Sequence, residues 1–266
     1  MIQAGTLAEA TYSRFDAGDG AFVDRRNVIV SGLGAPPQPN AFLVHQSPNY
    51  SIRPHFHHNA QFQVVVAGSG TLGGHPVRPF TVHYSGQHTG YGPIVAGPDG
   101  LWYFTLRPAM EAGAWFLPES AKARDPVIRK TQTTAPTQDP ESDDARRLRR
   151  SAETIVMIPP QADGLAAWML RVPAGQAVRL PAHDGGGGAF ALVGSGTMRA
   201  GVRLFARHDC LWIDREDGDA FTARAGTDGL DLLYLQFPRN AWLHTTQPRA
   251  PDDSLVPAFD MRKVPR

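Results

Sequence analysis

The segment FQVVVAGSGT, residues 62–71, decides the fold because it occurs a second time as GAFALVGSGT, residues 188–197. Each copy is an apolar run that enters a glycine turn, which is the pattern of a β-strand followed by a turn. A second pair of related segments follows at nearly the same distance, AGPDGL at 96–101 and AGTDGL at 225–230. The repeat is longer than a solenoid unit, so the sequence predicts two similar domains in tandem.

The composition favours strands and turns over long helices. The 266 residues include 27 glycines and 23 prolines, and short apolar runs lie between them. A chain of this length can form two domains of roughly 110–130 residues, each with a core of its own. We therefore expect an all-β protein.

Charge and cysteine content argue against several classes of function. The formal net charge is +1, with 26 basic and 25 acidic residues, which disfavours a surface for nucleic acid. The basic run at residues 146–150 lies in polar surroundings and is predicted to be a solvated linker or short helix.

Cys210 is the single cysteine, which excludes an intrachain disulfide and fits a reducing compartment. No secretory signal or apolar membrane span is visible, so we expect a cytoplasmic protein without a membrane partner.

A cluster of histidines stands just before the first copy of the repeat. His55 and His57 are two residues apart in a strand-like stretch, so alternation places both side chains on one face. His58 points to the other face. Two neutral imidazoles on one face can hold a divalent metal, and a ligand from another strand would complete the set.

The spacing around these histidines resembles the first motif of the cupin superfamily, G-x5-H-x-H-x3,4-E-x6-G. Asn49 stands at its first glycine, Gln61 at its glutamate and Gly68 at its last glycine. Asparagine tolerates left-handed backbone better than most residues, so the first departure is mild. The departure at Gln61 is larger than the one at Asn49. An amide either binds a metal through a neutral carbonyl oxygen or contacts the metal's ligands without binding the metal itself.

The second copy keeps the framework of this motif and loses its ligands. With Gly175 at the first glycine, the ligand positions hold Pro181, His183 and Gly187. A lone histidine beside Asp184 is too poor a set to bind a metal. The resemblance therefore implies a two-domain cupin, or bicupin, with a degenerate second domain.

The second cupin motif, G-x5-P-x-G-x2-H-x3-N, is less clear in residues 81–93. A turn precedes His88, so His88 is the first choice for the third metal ligand and His83 the second. Tyr84 and Tyr91 lie in the same stretch, where a phenol either contacts a substrate or packs in the barrel wall.

The resemblance implies two cupin-type antiparallel β-barrels in tandem, of the double-stranded β-helix or jelly-roll type. The expected parts are an N-terminal extension (1–40), an N-terminal barrel with the metal site (41–128), a linker (129–152), a degenerate C-terminal barrel (153–240) and a C-terminal extension (241–266). Cupins commonly pair through sheet edges, so we also expect a homodimer.

For function, the resemblance implies first a metal-dependent enzyme, a dioxygenase-type oxidoreductase. His55, His57 and His88 would hold Fe(II), or alternatively Mn, Ni or Zn, with Gln61 beside the ion.

The substrate of such an enzyme would be a small anionic or aromatic metabolite. The expected catalytic residues are Tyr91, which would contact the substrate through its phenol, and Arg53, which together with Arg107 would hold the anionic group through a bidentate contact. The second alternative is a cupin that binds a small metabolite or sugar without turnover, which the change at Gln61 favours.

Overall fold

The computed structural model describes residues 1–30, 38–111, 113–129, 131–181 and 186–241. Contacts divide the chain into two compact units. The N-terminal unit contains Thr11–Thr137 and the last described residue, Ala241, and the C-terminal unit contains Met1–Ala10 and Gln138–Asn240. The C-terminal extension after residue 241 and His183 both lie outside the described residues.

Almost all regular structure is β-strand, which confirms the predicted all-β class. In chain order the strands are β1 (Ile2–Gly5), β2 (Thr11–Gly18), β3 (Ala21–Ile29), β4 (Asn40–Gln46), β5 (Ser51–Ile52), β6 (His55–Phe56), β7 (Gln61–Leu72), β8 (His75–Val77), β9 (Val82–Ser85), β10 (Ile94–Arg107), β11 (Trp115–Phe116), β12 (Gln132–Thr134), β13 (Glu153–Ile158), β14 (Ala166–Val172), β15 (Ala177–Val178), β16 (Gly186–Ala200), β17 (Arg203–Phe205), β18 (Cys210–Ile213) and β19 (Ala223–Pro238). The helical segments are α1 (Asp143–Leu148) and 3-10 turns at Leu7–Glu9, Ala121–Ala123 and Arg215–Asp217. Within the described ranges, no helix has the length and apolar character needed to cross a membrane.

Both units contain an antiparallel sheet with the same order of strands. The N-terminal sheet has the order β12-β9-β7-β10-β4-β3-β2, and the C-terminal sheet has the order β1-β18-β16-β19-β14-β13. Short strands add at equivalent places, with β8 on β7 and β5 on β10 in one sheet, and β17 on β16 and β15 on β19 in the other. The repeat in sequence is therefore a repeat in topology. The pairing of the described strands leaves both sheets open, so two closed barrels stay a prediction.

The GSGT segments lie inside β7 and β16 and are not the turns that the sequence predicts. Each contains a glycine with positive φ, which is the first glycine of the segment in one copy and the second in the other. Gly68 and Gly196 have φ angles of +73° and +74°. A Cβ on Gly68 would lie 2.1 Å from the carbonyl oxygen of Gly100, and one on Gly196 would lie 2.0 Å from that of Gly229. The central strand pairs β7–β10 and β16–β19 thus approach too closely at this point for any side chain.

The predicted N-terminal extension, residues 1–40, contributes strands to both units. β1 pairs with β18 of the C-terminal sheet, whereas β2 and β3 extend the N-terminal sheet beyond β4. The basic run of the linker begins in the short helix α1, as one of its two predicted forms has it, but part of the run is buried and not solvated. Arg146 donates to the carbonyl oxygen of Asp228, and Arg149 donates to the carboxylate of Asp231. Buried cations need such partners, so these arginines hold the linker to the C-terminal unit.

The two units differ in what fills their interiors. The C-terminal unit has an apolar cluster that includes Trp168, Leu211 and Leu232. The N-terminal unit combines a smaller apolar cluster with many buried polar side chains. These polar side chains include His55, His57, Gln61, Gln63, His83, Thr105, Arg107 and Glu111. The candidate site therefore lies in the N-terminal unit.

Candidate functional site

His55 and His57 face the same interior, as their spacing predicts. Their ring centroids are 5.3 Å apart, and both side chains are buried. Nδ1 of His55 lies 2.8 Å from the carbonyl oxygen of Arg53, which can only accept, so this nitrogen donates. Nδ1 of His57 lies 3.0 Å from a carboxylate oxygen of Glu111 and donates in the same way. Both rings therefore turn the lone pair of Nε2 toward the interior.

Tyr91, Gln61 and Arg107 connect the two imidazoles. The Tyr91 hydroxyl donates to Nε2 of His55 over 2.7 Å and accepts from the amide nitrogen of Gln61 over 2.6 Å. The amide oxygen of Gln61 accepts from Nε of Arg107 at 3.0 Å, and a terminal guanidinium nitrogen donates to Nε2 of His57 at 3.0 Å. These bonds join the five side chains in one chain, so the side chains fix one another's orientation.

Glu111 anchors the outer side of His57. Its carboxylate oxygens also accept from the backbone N–H groups of His58 and Asn59, over 3.2 and 2.7 Å. Glu111 could not be found from the sequence, because it is 54 positions from His57 and belongs to no motif. A carboxylate on the outer nitrogen of an imidazole is also how metal-binding histidines are commonly oriented.

Burial disfavours the charged forms of the titratable groups in the cluster. It lowers the pKa of His55 from 6.5 to about 3, with His57 as a second cause. The pKa of His57 is lowered well below 6.5, first by burial and then by the guanidinium of Arg107. Burial also raises the pKa of the Tyr91 phenol and that of the Glu111 carboxyl. At neutral pH the cluster thus contains neutral imidazoles and a neutral phenol beside a guanidinium cation.

The structure does not bring His88 or Arg53 into this cluster. The His88 ring stacks on that of His58, with 4.6 Å between centroids, and its Nδ1 accepts from the backbone N–H of Asp125. His88 thus lies beside His58 and not beside the imidazole pair, and its role as third metal ligand stays a prediction. Arg53 is exposed and forms an ion pair with Glu119 instead of facing the interior.

Backbone geometry supports a second alignment of the second cupin motif. Phe80 and His88 have φ angles of +68° and +53°, which favour glycine. They have the spacing of the two glycines of the second cupin motif, G-x5-P-x-G-x2-H-x3-N. With this alignment the histidine of the motif falls on Tyr91. Two bulky residues at glycine positions concealed this alignment in the sequence.

His83, the alternative third ligand, contacts Tyr91, with 5.7 Å between ring centroids. Its Nδ1 lies 2.9 Å from the hydroxyl oxygen of Thr134. Its Nε2 is buried and has no hydrogen-bond partner within the described part of the chain. His83 and Gln63 border a small cavity with room for about one water molecule.

The donor set of the cluster, as it is bonded in this structure, differs from the usual ligand set of a divalent metal. Among the described residues, no group of three or more His, Cys, Asp or Glu side chains is placed to hold an ion. Gln61 and Tyr91 stand at the acidic and third-histidine positions of the motifs, and the oxygen of Gln61 is already bonded to Arg107. The guanidinium also opposes a second cation, since two unit charges of the same sign 4 Å apart repel by about 4 kcal/mol at an effective dielectric constant of 20.

Strand order and the buried cluster together define a cupin-type fold, and similar solved structures have the same fold. A candidate dioxygenase of Nostoc punctiforme is 11% identical, with a TM-score of 0.60 over 94% of this chain and 87% of that one. The pirin YhhW of Escherichia coli in complex with nickel(II) is 12% identical, with a TM-score of 0.54 over 90% of this chain and 99% of that one.

A variant of the oxalate decarboxylase of Bacillus subtilis is also similar. It is 12% identical, with a TM-score of 0.55 over 90% of this chain and 77% of that one. No protein-family model matches the chain, and no curated protein matches it in sequence. Identities this low establish a shared fold and leave the chemistry to the residues of the site.

Proposed function

We propose that the N-terminal unit binds a small anionic metabolite and that Arg107 holds the anion. The observation that carries this proposal is the environment of Arg107, which is only 6% exposed. Its donors reach neutral acceptors, the amide oxygen of Gln61 and a ring nitrogen of His57, and it forms no ion pair with a carboxylate of the described residues. A buried cation without a counterion is unfavourable, and an anionic ligand supplies the missing charge.

The residues around Arg107 suit an anionic ligand. Gln61 and His57 each take one donor of the guanidinium and so fix the direction of its remaining N–H groups. A planar, oriented guanidinium is well matched to the two oxygens of a carboxylate. The neutral imidazoles and the neutral phenol of Tyr91 exclude water from the cation without repelling an anion. This is the binding alternative, in which the cluster needs no metal.

A metal-dependent enzyme of the dioxygenase type is the second candidate, and the orientation of the imidazoles favours it. His55 and His57 both donate through Nδ1 and keep Nε2 as an acceptor, as metal ligands do. Among the similar structures, the pirin has bound nickel(II), and an oxalate decarboxylase has Mn(II) centres. In this function His55, His57 and Gln61 would hold a divalent ion, with Fe(II) favoured, after Arg107 had released Gln61.

The two functions predict different effects of a carboxylate on the melting temperature of the metal-free chain. The melting temperature of the full chain is recorded with sodium propionate or sodium benzoate, before and after anaerobic addition of Fe(II), and oxygen uptake is measured in parallel. We expect a carboxylate to raise Tm without metal and Arg107→Gln to abolish the rise. Arg26→Gln is the matched control, because Arg26 is exposed on β3. Fe(II)-dependent oxygen uptake, with no effect of either carboxylate on the metal-free chain, would contradict the first function and support the second.

A further inference from the structure

Arg25 is a second buried guanidinium in the N-terminal unit, on a strand that the sequence assigned to an extension outside the site. The side chain lies in β3 and is 8% exposed. Its Cζ lies 3.6 Å from the ring centroid of Phe42. Its Nε has no hydrogen-bond partner, and within the described ranges no carboxylate forms an ion pair with it. Arg25 therefore has packing partners but no partner for its charge.

Register places Arg25 on the same interior face as the cluster around Arg107. Arg25 is opposite Val44 of β4, and Val44 is opposite Tyr103 of β10. Val44 and Tyr103 belong to the apolar cluster that also contains Tyr91. The guanidinium of Arg107 lies 5.5 Å from the ring centroid of Phe42, so both arginines contact the same aromatic ring.

The charge of Arg25 is unfavourable in this environment. Burial is the main cause that lowers its pKa to about 9, and the charge of Arg107 is the second. Glu111 is a buried acidic group on which the charge of Arg107 acts, but its oxygens bond His57 and two backbone N–H groups and form no ion pair with either guanidinium, so at most one of the two positive charges is offset. One positive charge therefore has no negative partner, and a bound monoanion would supply that partner.

Two further buried atoms without partners lie beside the two arginines. Asn27 is opposite Phe42 in the register of β3 and β4, and Asn40 is opposite Arg107 in that of β4 and β10. The side-chain oxygens of both asparagines are buried and accept no hydrogen bond from the residues that the structure describes. Nδ2 of Asn40 donates to the carbonyl oxygen of Ile29, which fixes the orientation of that amide. The positions around Phe42 thus present cationic donors and neutral acceptors together.

We propose that Arg25 and Arg107 together bind the carboxylate of a small hydroxy acid, whose hydroxyl group donates to the side-chain oxygen of Asn27 or Asn40. This inference rests on the proposed function, because Arg107 is shared, and it adds the class of ligand. A carboxylate satisfies both guanidinium groups, and a hydroxyl donor satisfies an acceptor that a plain carboxylate leaves unpaired.

The test compares lactate with propionate, which has the same carbon chain and lacks the hydroxyl group. Isothermal titration of the full chain at constant ionic strength measures both affinities. We expect lactate to bind about tenfold more tightly than propionate, and Asn27→Ala together with Asn40→Ala to remove that preference. Equal affinity of the two acids would overturn the assignment to hydroxy acids.

Variants of Arg25 test its part in binding. We expect Arg25→Met to weaken lactate binding by about tenfold or more and to raise Tm without ligand, because an uncompensated charge is removed. Arg26→Met, on the exposed face of the same strand, serves as control and is expected to retain the affinity. If Arg25→Met unfolds the chain, the neutral variant Arg25→Gln takes its place, and full lactate affinity in a folded Arg25→Gln chain would show a structural role and overturn the proposal.

The failures of the two proposals are distinguishable. If Arg107→Gln abolishes binding of both acids and Arg25→Met leaves their affinities unchanged, the proposed function stands and the role of Arg25 is refuted. If neither acid binds the unmodified chain, the anion-binding function fails, and the inference about Arg25 fails with it.

Discussion

At the scale of single residues, Arg107 is the side chain that gives the N-terminal cluster its positive charge. The two histidines and Gln61 follow from the motif spacing in the sequence, and the structure brings them together. Arg107 could be named from the sequence as an anion contact, but its bond to Gln61 could not, because that bond depends on the pairing of β10 with β7. Glu111 and Arg25 carry no motif, so only the tertiary structure reveals them.

Tyr91 is the residue on which the hydrogen-bond chain depends most directly. Tyr91→Phe removes a hydroxyl that bonds both His55 and Gln61, and it leaves a buried acceptor and a buried donor without partners. We expect the unfolding free energy to fall by about 2–4 kcal/mol, measured by urea denaturation. Tyr103→Phe is the control, since Tyr103 is equally buried and none of the described residues is bonded to its hydroxyl. Equal losses in the two variants would contradict the hydrogen-bond chain.

At the scale of elements, the sequence repeat predicts which strands correspond but not which strands are neighbours. The central strands β7 and β10, and their counterparts β16 and β19, carry the repeated glycines and are recognisable from the sequence. β1 could not be placed in the same way, because its pairing with β18 joins segments about two hundred residues apart and no local pattern records it. It occupies in the C-terminal sheet the place that β12 occupies in the N-terminal sheet.

Removal of β1 should therefore affect the C-terminal unit alone. A chain without residues 1–5 loses the backbone pairing with β18 and the ion pair between the N-terminus and Asp214. We expect the C-terminal unit to lose about 2–4 kcal/mol of stability and the β18 amides to exchange faster. Hydrogen exchange followed by mass spectrometry resolves the two units. Faster exchange in β7 and β10 to the same degree would contradict the assignment of β1.

At the scale of the whole molecule, the two units share one strand order and differ in their interiors. The sequence predicts this asymmetry correctly in one respect, since only the first copy carries the histidines. It does not predict that the polar interior includes side chains from β3, because the alternation that buries Arg25 and Asn27 is visible only once β3 is paired with β4. The homodimer and the cytoplasmic location stay predictions.

The buried histidines should make the N-terminal unit sensitive to acid. Burial, and then His75, lower the pKa of His83 to about 4, against 6.5 in the unfolded chain. The unfolded chain therefore binds a proton as pH falls through 6.5, whereas the folded chain binds it only near pH 4, so stability falls between these values.

His83→Gln tests this effect, because it removes the titrating group. We expect the unfolding free energy of the wild type to fall relative to that of the variant by up to about 1.4 kcal/mol per pH unit between pH 6.5 and 4. Urea denaturation at several pH values measures the difference. A difference between the two chains that does not change with pH would contradict the lowered pKa.

The most direct test of the central claim is the metal content of the chain by inductively coupled plasma mass spectrometry, after anaerobic incubation with Fe(II) or Ni(II) and desalting. If Arg107 is the cation of this site, we expect only traces of metal in the wild type. We expect more metal in Arg107→Ala, because that variant frees Nε2 of His57 and the oxygen of Gln61. A content of about one metal ion per wild-type chain, with loss of that ion in His57→Ala, would contradict this expectation. It would show that the site functions with a bound metal ion and not with Arg107 as its cation.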